Sequence, residues 1–252
     1  MPRDLGIADR LRARGLKVVE VDGWRERGSD TFNPVGSVDH HTAGAASGNV
    51  PSLKVCINGR ADLPGPLCNV LVARDNTCYV IAAGKANHAG AGGWKGLSGN
   101  STVYGVEREN VGTPAEPWRS DQTDTAAKVH AALIDGIAER NPARTCEHKE
   151  WAPKRKTDAH TITGDDLRFR ITNRLTDTQG DDDDMFGDED RTKLNQIHAV
   201  VAASGYIEKI LQTVQAHAAD PAKGGGEGSI DYDRLGEEIA EELEKIKITV
   251  GQ

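Results

Sequence analysis

The alternation of β-rich and helical segments over the first 175 residues is the strongest constraint on the fold of this chain. Apolar runs rich in β-branched residues predict strands at residues 16–21, 35–40, 68–73, 78–82 and 102–107. Amphipathic spacing predicts a short helix at 4–14 and a long helix at 121–140. Strands interspersed with helices predict an α/β fold, with a central mixed β-sheet flanked by helices.

The C-terminal part of the chain has a different composition. Residues 176–252 hold 18 acidic and 7 basic residues, a balance of −11, whereas residues 1–175 hold 21 and 24, a balance of +3. The C-terminal part also contains a Gly-rich stretch at 223–229, typical of a flexible linker, and a narrow apolar stripe at 231–247. We therefore predict a folded domain over 1–175 and an acidic linker with a small helical C-terminal appendage over 176–252. The stripe is too narrow to bury itself, so it needs a partner: another subunit, the main domain or a surface. An oligomerisation role through 231–247 fits the stripe slightly better than wall targeting.

Bulk composition argues against several classes of protein. No apolar run approaches the roughly 18 residues of a membrane span. No Lys/Arg stripe is interleaved with aromatic residues, so nucleic-acid binding is not expected, and the mildly basic front part suits another anionic polymer. Residues 1–6 lack the apolar core of a secretory signal, which predicts synthesis without a signal peptide. The four cysteines form no Cys-x-x-Cys pair and are expected to be buried thiols.

Three short polar segments, 40–43, 105–109 and 148–158, supply residues for one hydrolytic site. A hydrolytic zinc needs three protein ligands and an open position for water. His40 at a strand end offers one imidazole, and His148 and Asp158 offer a second imidazole and a carboxylate. The spacing of ten residues does not stack the latter two on one helix face, and Pro153 favours a loop. The spacing alone therefore leaves this ligand pair open.

The middle and late segments also offer a base and a charge stabiliser. Glu107 ends an apolar strand, where a carboxylate is costly if it is buried without a partner. As a general base it would take a proton from the attacking water, and Lys156 would reach the developing oxyanion. His41 points to the opposite face of the strand from His40 and is not predicted to be a ligand. A lone His40 would more often be an ordinary buried histidine.

Five segments together resemble the type 2 N-acetylmuramoyl-L-alanine amidases, a family that includes phage endolysins and the peptidoglycan recognition proteins. In the family's order they are 40–44, 68–76, 87–90, 105–107 and 148–158. The resemblance covers roughly residues 30–160. It implies a zinc enzyme that cuts the amide between N-acetylmuramic acid and the first L-alanine of peptidoglycan. We predict a phage endolysin that is made in the host cytoplasm and acts at the bacterial cell wall.

The resemblance implies the zinc ligands and the catalytic residues, and it makes residues 1–175 the zinc amidase catalytic domain. The implied zinc ligands are His40, His148 and Asp158. The implied catalytic residues are the acid/base Glu107 and the positively charged Lys156. Substrate contacts are predicted for Asn69, His88 and Trp94. The alternative for His88 is that it packs or caps a loop, and the match fixes no role for the Gly-rich stretch 90–94 that contains Trp94. One departure is Asn76, which stands where many members have glycine, and asparagine tolerates the same backbone conformation.

Two other functions stay open from the sequence. The first is a non-catalytic peptidoglycan-binding module, although such relatives typically lack a complete ligand set. The second is a zinc peptidase that cuts within the stem peptide. A zinc deaminase is excluded, because the His-x-Glu at 148–150 is not followed by Pro-Cys-x-x-Cys. Glu109 and Glu150 are expected to be surface charges.

Overall fold

The computed structural model describes residues 3–176. The acidic linker, the C-terminal appendage and the self-association segment predicted for 176–252 lie outside the described residues, apart from residue 176 itself. Among the described helices, none combines the length and the apolar character that a membrane crossing requires.

A six-stranded mixed β-sheet forms the centre of the fold. Its strands are β1 (Val18–Glu20), β2 (Gly36–His41), β5 (Val70–Val72), β6 (Cys78–Val80), β7 (Val103–Arg108) and β8 (Thr145–Glu147). The spatial order is β1-β6-β5-β7-β2-β8, and every neighbouring pair is parallel except β5 with β6, which form the predicted hairpin. Two short strands, β3 (Gly59–Arg60) and β4 (Leu63–Pro64), form a separate hairpin. The predicted α/β fold with a central mixed sheet is confirmed.

Helices lie on both faces of this sheet. Within the described residues the α-helices are α1 (Ile7–Ala13), α2 (Leu53–Asn58), α3 (Ser120–Ile134), α4 (His148–Trp151) and α5 (Gly164–Thr176). Side chains of α2 pack with Leu71, and Trp151 of α4 packs with Val38. Apolar side chains of α1, α3 and α5 pack with Val70, Val106 and their neighbours into the largest hydrophobic cluster. The four cysteines are buried and free, as predicted.

The predicted helix at 121–140 is too long at its C-terminal end, since α3 ends at Ile134. Asp135 there accepts hydrogen bonds from Arg14 and Arg140, which lie outside the helix. At Gly136 an added Cβ would lie 2.5 Å from the guanidinium carbon of Arg10, a residue of α1 that packs against this turn. Long-range contacts, which helical periodicity does not report, therefore set the end of α3.

The strand register brings the candidate residues to one edge of the sheet. Strands β2, β7 and β8 are parallel, so their carboxyl ends meet at the same edge, where α/β proteins commonly bind ligands. His40 pairs in register with Glu107, which in turn pairs with Leu71 of β5. Since side chains alternate along a strand, these three share the sheet face opposite α1, α3 and α5.

Candidate metal centre and active site

Three side chains from two distant parts of the chain converge at this edge. His40 Nδ1 lies 2.8 Å from His148 Nδ1 and 3.1 Å from Asp158 Oδ2, and His148 Nδ1 lies 2.8 Å from the same oxygen. All three residues are buried. His41 is not part of this group; its Nδ1 accepts a hydrogen bond from the backbone N–H of His160 at 3.2 Å. The structure thus brings together the three residues predicted as ligands.

The hydrogen-bond partner of His148 tests whether the group fits a cation. His148 Nε2 lies 2.9 Å from the carbonyl oxygen of Ala89, which only accepts, so a neutral ring here has its proton on Nε2 and a lone pair on Nδ1. That lone pair faces the Asp158 carboxylate. Burial lowers the pKa of His40 to about 4, so the His40 ring is neutral. Converging lone pairs repel one another unless a cation binds between them, and two imidazoles with one carboxylate are a donor set that suits zinc.

Glu107 lies beside this group without a strong partner of its own. Its Oε2 is buried and has no hydrogen-bond partner among the described residues. Burial raises the pKa of Glu107 well above its usual range, nearby Cys56 and Asp158 raise it further, and the Lys156 ammonium lowers it. A carboxylate in this state holds a proton more readily than a solvated one, which suits an acid/base group.

These groups line one pocket of about 320 Å³. Six of the eight predicted site residues line it: His40, His88, Glu107, His148, Lys156 and Asp158. The far wall contains Arg60, Leu63 and Leu67, from the β3–β4 hairpin and the segment after it, which we did not predict. No motif marked these residues, because they reach the pocket only through the tertiary position of the hairpin. Arg155 also lines the pocket, and its place beside Lys156 was an available signal.

Asn69 does not line the pocket, contrary to our expectation of a substrate contact. Its side-chain amide donates to the carbonyl oxygens of Ala82 and Gly84, both at 2.9 Å, and its Oδ1 accepts from the N–H of Gly105 at 3.0 Å. The side chain is fully buried. Asn69 therefore ties β7 to the segment after β6 and has no free polar atom for a substrate.

Trp94 is also outside the pocket. Its indole N–H donates to the carbonyl oxygen of Ala143 at 3.0 Å, and the Arg168 guanidinium lies 4.9 Å from the ring centroid. Arg168 in turn binds Glu150 through two hydrogen bonds of 2.9 Å. Glu150 is therefore not the free surface charge that we expected, and Trp94 packs against Arg168 outside the pocket.

The two sequence neighbours of His148 hold the loop that carries Asp158. The backbone N–H of Lys149 donates to the Asp158 carbonyl oxygen at 2.7 Å, and its ammonium donates to two further carbonyl oxygens of that loop. Glu147 Oε2 accepts from the N–H of Ala159 at 2.7 Å. One candidate ligand is thereby fixed relative to another.

Glu109 is buried, so our expectation of a surface charge was wrong. Its Oε1 accepts from the N–H of Ser52 at 2.7 Å, and its Oε2 accepts from the hydroxyls of Ser52 at 3.0 Å and Thr42 at 2.9 Å. These bonds tie the loop after β2 and the start of α2 to the end of β7. Thr42 and Ala43 of that loop line the pocket.

Glu109→Gln is expected to destabilise the protein by about 1–2 kcal/mol, because three donors lose a charged acceptor in a buried position. Urea denaturation of the full chain, followed by tryptophan fluorescence, measures the effect. Glu26→Gln is the control, since Glu26 is an exposed carboxylate. A Glu109→Gln midpoint equal to that of the control variant would show that the three bonds contribute no net stability.

Comparison with known proteins decides the family. A family model described as N-acetylmuramoyl-L-alanine amidase (Amidase_2) matches residues 31–161, which is more than half of the chain. The chain belongs to this family. The amidase resemblance of the sequence is confirmed, and the chain is an enzyme of the class that hydrolyses the N-acetylmuramoyl-L-alanine amide of peptidoglycan.

Several solved amidase structures are similar to this chain. A selenomethionine derivative of AmpD is 24% identical, with 64% of this chain and 94% of that chain covered and a TM-score of 0.46. The amidase LysC from Clostridium intestinale URNW is 17% identical, with 62% and 97% covered and a TM-score of 0.47. AmiD from E. coli, in complex with anhydro-N-acetylmuramic acid-L-Ala-D-gamma-Glu-L-Lys, is 21% identical, with 55% and 58% covered and a TM-score of 0.43. A search of curated proteins found no match.

Proposed function

We propose that this amidase is zinc-dependent and that His40, His148 and Asp158 are its zinc ligands. The observation that carries the proposal is the convergence of three ligand atoms, all within 4.8 Å of one another, in the pocket that Glu107 also lines. Zinc in such a site supplies Lewis acidity, which polarises the scissile carbonyl and lowers the pKa of water to about 7.

Glu107 is proposed as the acid/base residue. Its carboxylate takes a proton from the attacking water and returns it to the leaving nitrogen of L-alanine, so that the amine departs uncharged. The raised pKa of Glu107 supports this role, because a stronger base accepts the proton more readily. The burial of Oε2 without a partner also supports it, since no protein donor competes for that oxygen among residues 3–176.

Lys156 is proposed as the group that stabilises charge on the carbonyl oxygen. It is half-buried, it lines the same pocket, and its charge lowers the pKa of Glu107. An ammonium in a partly desolvated site stabilises a developing oxyanion more strongly than it would in bulk water.

The products of digestion test the proposed bond. Purified peptidoglycan treated with the full chain is expected to release peptides with N-terminal L-alanine and to leave glycan strands with free lactyl groups, both identified by mass spectrometry. Peptides with a different N-terminus would favour a zinc peptidase acting within the stem. Wall binding without any new product would favour the non-catalytic binding module.

We further propose that the enzyme is a phage endolysin, made in the host cytoplasm and active on the bacterial wall, with residues 1–175 as the catalytic domain. Host cells that express the chain together with a phage holin are expected to lyse, whereas cells with the holin and the His40→Ala variant are expected to stay intact. Equal lysis by both proteins would contradict the endolysin proposal, because lysis would then not depend on the proposed zinc ligand His40.

A further inference from the structure

The imidazole of His88 lies between the candidate ligand His40 and strand β7. His88 Nε2 is 3.2 Å from the carbonyl oxygen of Val103, and His88 Nδ1 is 3.0 Å from His40 Nε2. The two rings are nearly perpendicular, at 88°. The His88 ring therefore contacts a backbone acceptor through one nitrogen and the candidate ligand through the other.

The Val103 carbonyl determines where the protons lie. A carbonyl oxygen only accepts, so the proton of a neutral His88 ring is on Nε2, and Nδ1 is left as an acceptor. The only proton that His88 Nδ1 can accept from its neighbour is the one on His40 Nε2. His40 then carries its lone pair on Nδ1, the atom that faces His148 and Asp158.

Strand β7 provides the space for this ring at Gly105. A Cβ added at Gly105 would lie 2.5 Å from Cγ of His88, closer than real Cβ contacts come. The glycine two residues before Glu107 thus lets an imidazole lie flat against the strand and reach His40.

Ala89, the residue after His88, orients the imidazole of His148 in a similar way. The Ala89 carbonyl accepts from His148 Nε2 at 2.9 Å. The backbone N–H groups of His88 and Ala89 both donate to Oδ1 of Asn100, at 3.3 and 2.9 Å, which fixes the segment in place. Two consecutive residues on one anchored segment therefore orient both imidazoles.

We infer that His88 is a positioning residue that accepts the Nε2 proton of His40 and so commits His40 Nδ1 to the metal. This rests on the proposed zinc site and replaces the substrate contact that the sequence suggested for His88. Outer partners of this kind affect metal affinity by roughly 10- to 100-fold.

A pair of substitutions separates hydrogen bonding from packing. His88→Phe keeps a flat ring over Gly105 without an acceptor, whereas the side-chain oxygen of His88→Asn can stand near the position of Nδ1. Zinc affinity of the full chain is measured by competition with a chelator of known affinity. We expect His88→Phe to bind zinc roughly 10- to 100-fold more weakly and His88→Asn to stay within about fivefold of wild type.

The outcomes divide clearly. Wild-type affinity in His88→Phe, or equal loss in both variants, overturns the inference while leaving the zinc enzyme intact. A wild-type chain that takes up no zinc would contradict the proposed zinc dependence itself.

If His88→Phe does not fold, nitrogen-15 NMR of the zinc-loaded wild type gives the answer. The His40 ring is expected to show its proton on Nε2 and the metal on Nδ1, and the reverse assignment overturns the inference.

Discussion

His40→Ala is expected to lose bound zinc and amidase activity together, while the sheet stays folded. The variant leaves His148 and Asp158 as a two-residue site, one ligand short of the three protein ligands that catalytic zinc uses. The loss in kcat/KM is expected to reach at least about 10³-fold, because the polarisation of the carbonyl and the activation of water are lost at once. Elemental analysis gives the zinc content, and a soluble N-acetylmuramoyl-peptide gives the rate.

Two controls make this result specific. His217→Ala lies outside the family match and is expected to keep both zinc and activity. Wild-type protein stripped of metal by a chelator is expected to recover its rate when zinc is added back, whereas His40→Ala is not. A His40→Ala protein that retains stoichiometric zinc and digests peptidoglycan would remove His40 from the ligand set.

The site residues that sequence identified best are those whose position follows from strand geometry. His40 and Glu107 end parallel strands, and alternation places both on the face away from α1, α3 and α5, where register makes them neighbours. No such geometric rule predicts that His148 and Asp158, ten residues apart, lie close together. Only the family resemblance indicated that both belong to one ligand set. In the structure a one-turn helix and a loop held by Lys149 bring them together.

Other residues depend on contacts that no local pattern reports. Asn69 belongs to a segment shared with the family, yet its amide is fully used in joining β7 to the chain after β6. Glu109 follows Glu107 by two residues and reads as a surface charge, but Ser52 and Thr42 surround its carboxylate. Helix α5 anchors on few apolar residues, chiefly Leu167 and Ile171, so its periodicity was too weak to predict.

Glu107→Gln is expected to lower kcat by about 10²- to 10⁴-fold, the usual contribution of a positioned acid/base group, without loss of zinc. Glutamine has nearly the same shape as glutamate but cannot take a proton from water. Stability is expected to be unchanged or higher, because Oε2 has no hydrogen bond to lose among the described residues and an unpaired carboxylate is costly to bury. Zinc content, kcat on a soluble N-acetylmuramoyl-peptide and the urea midpoint are measured on the same sample.

Glu109→Gln provides the matched comparison, since it makes the same chemical change two residues further along the strand edge. The two carboxylates differ in their partners: Glu109 accepts three hydrogen bonds, whereas Glu107 Oε2 accepts none from residues 3–176. Substitution at 109 should therefore act mainly on stability, seen as a lower urea midpoint. Substitution at 107 should act mainly on catalysis, seen as a lower kcat. If Glu107→Gln instead lost stability and kept its rate, Glu107 would be a structural carboxylate, and the acid/base group of this amidase would have to be sought elsewhere in the pocket.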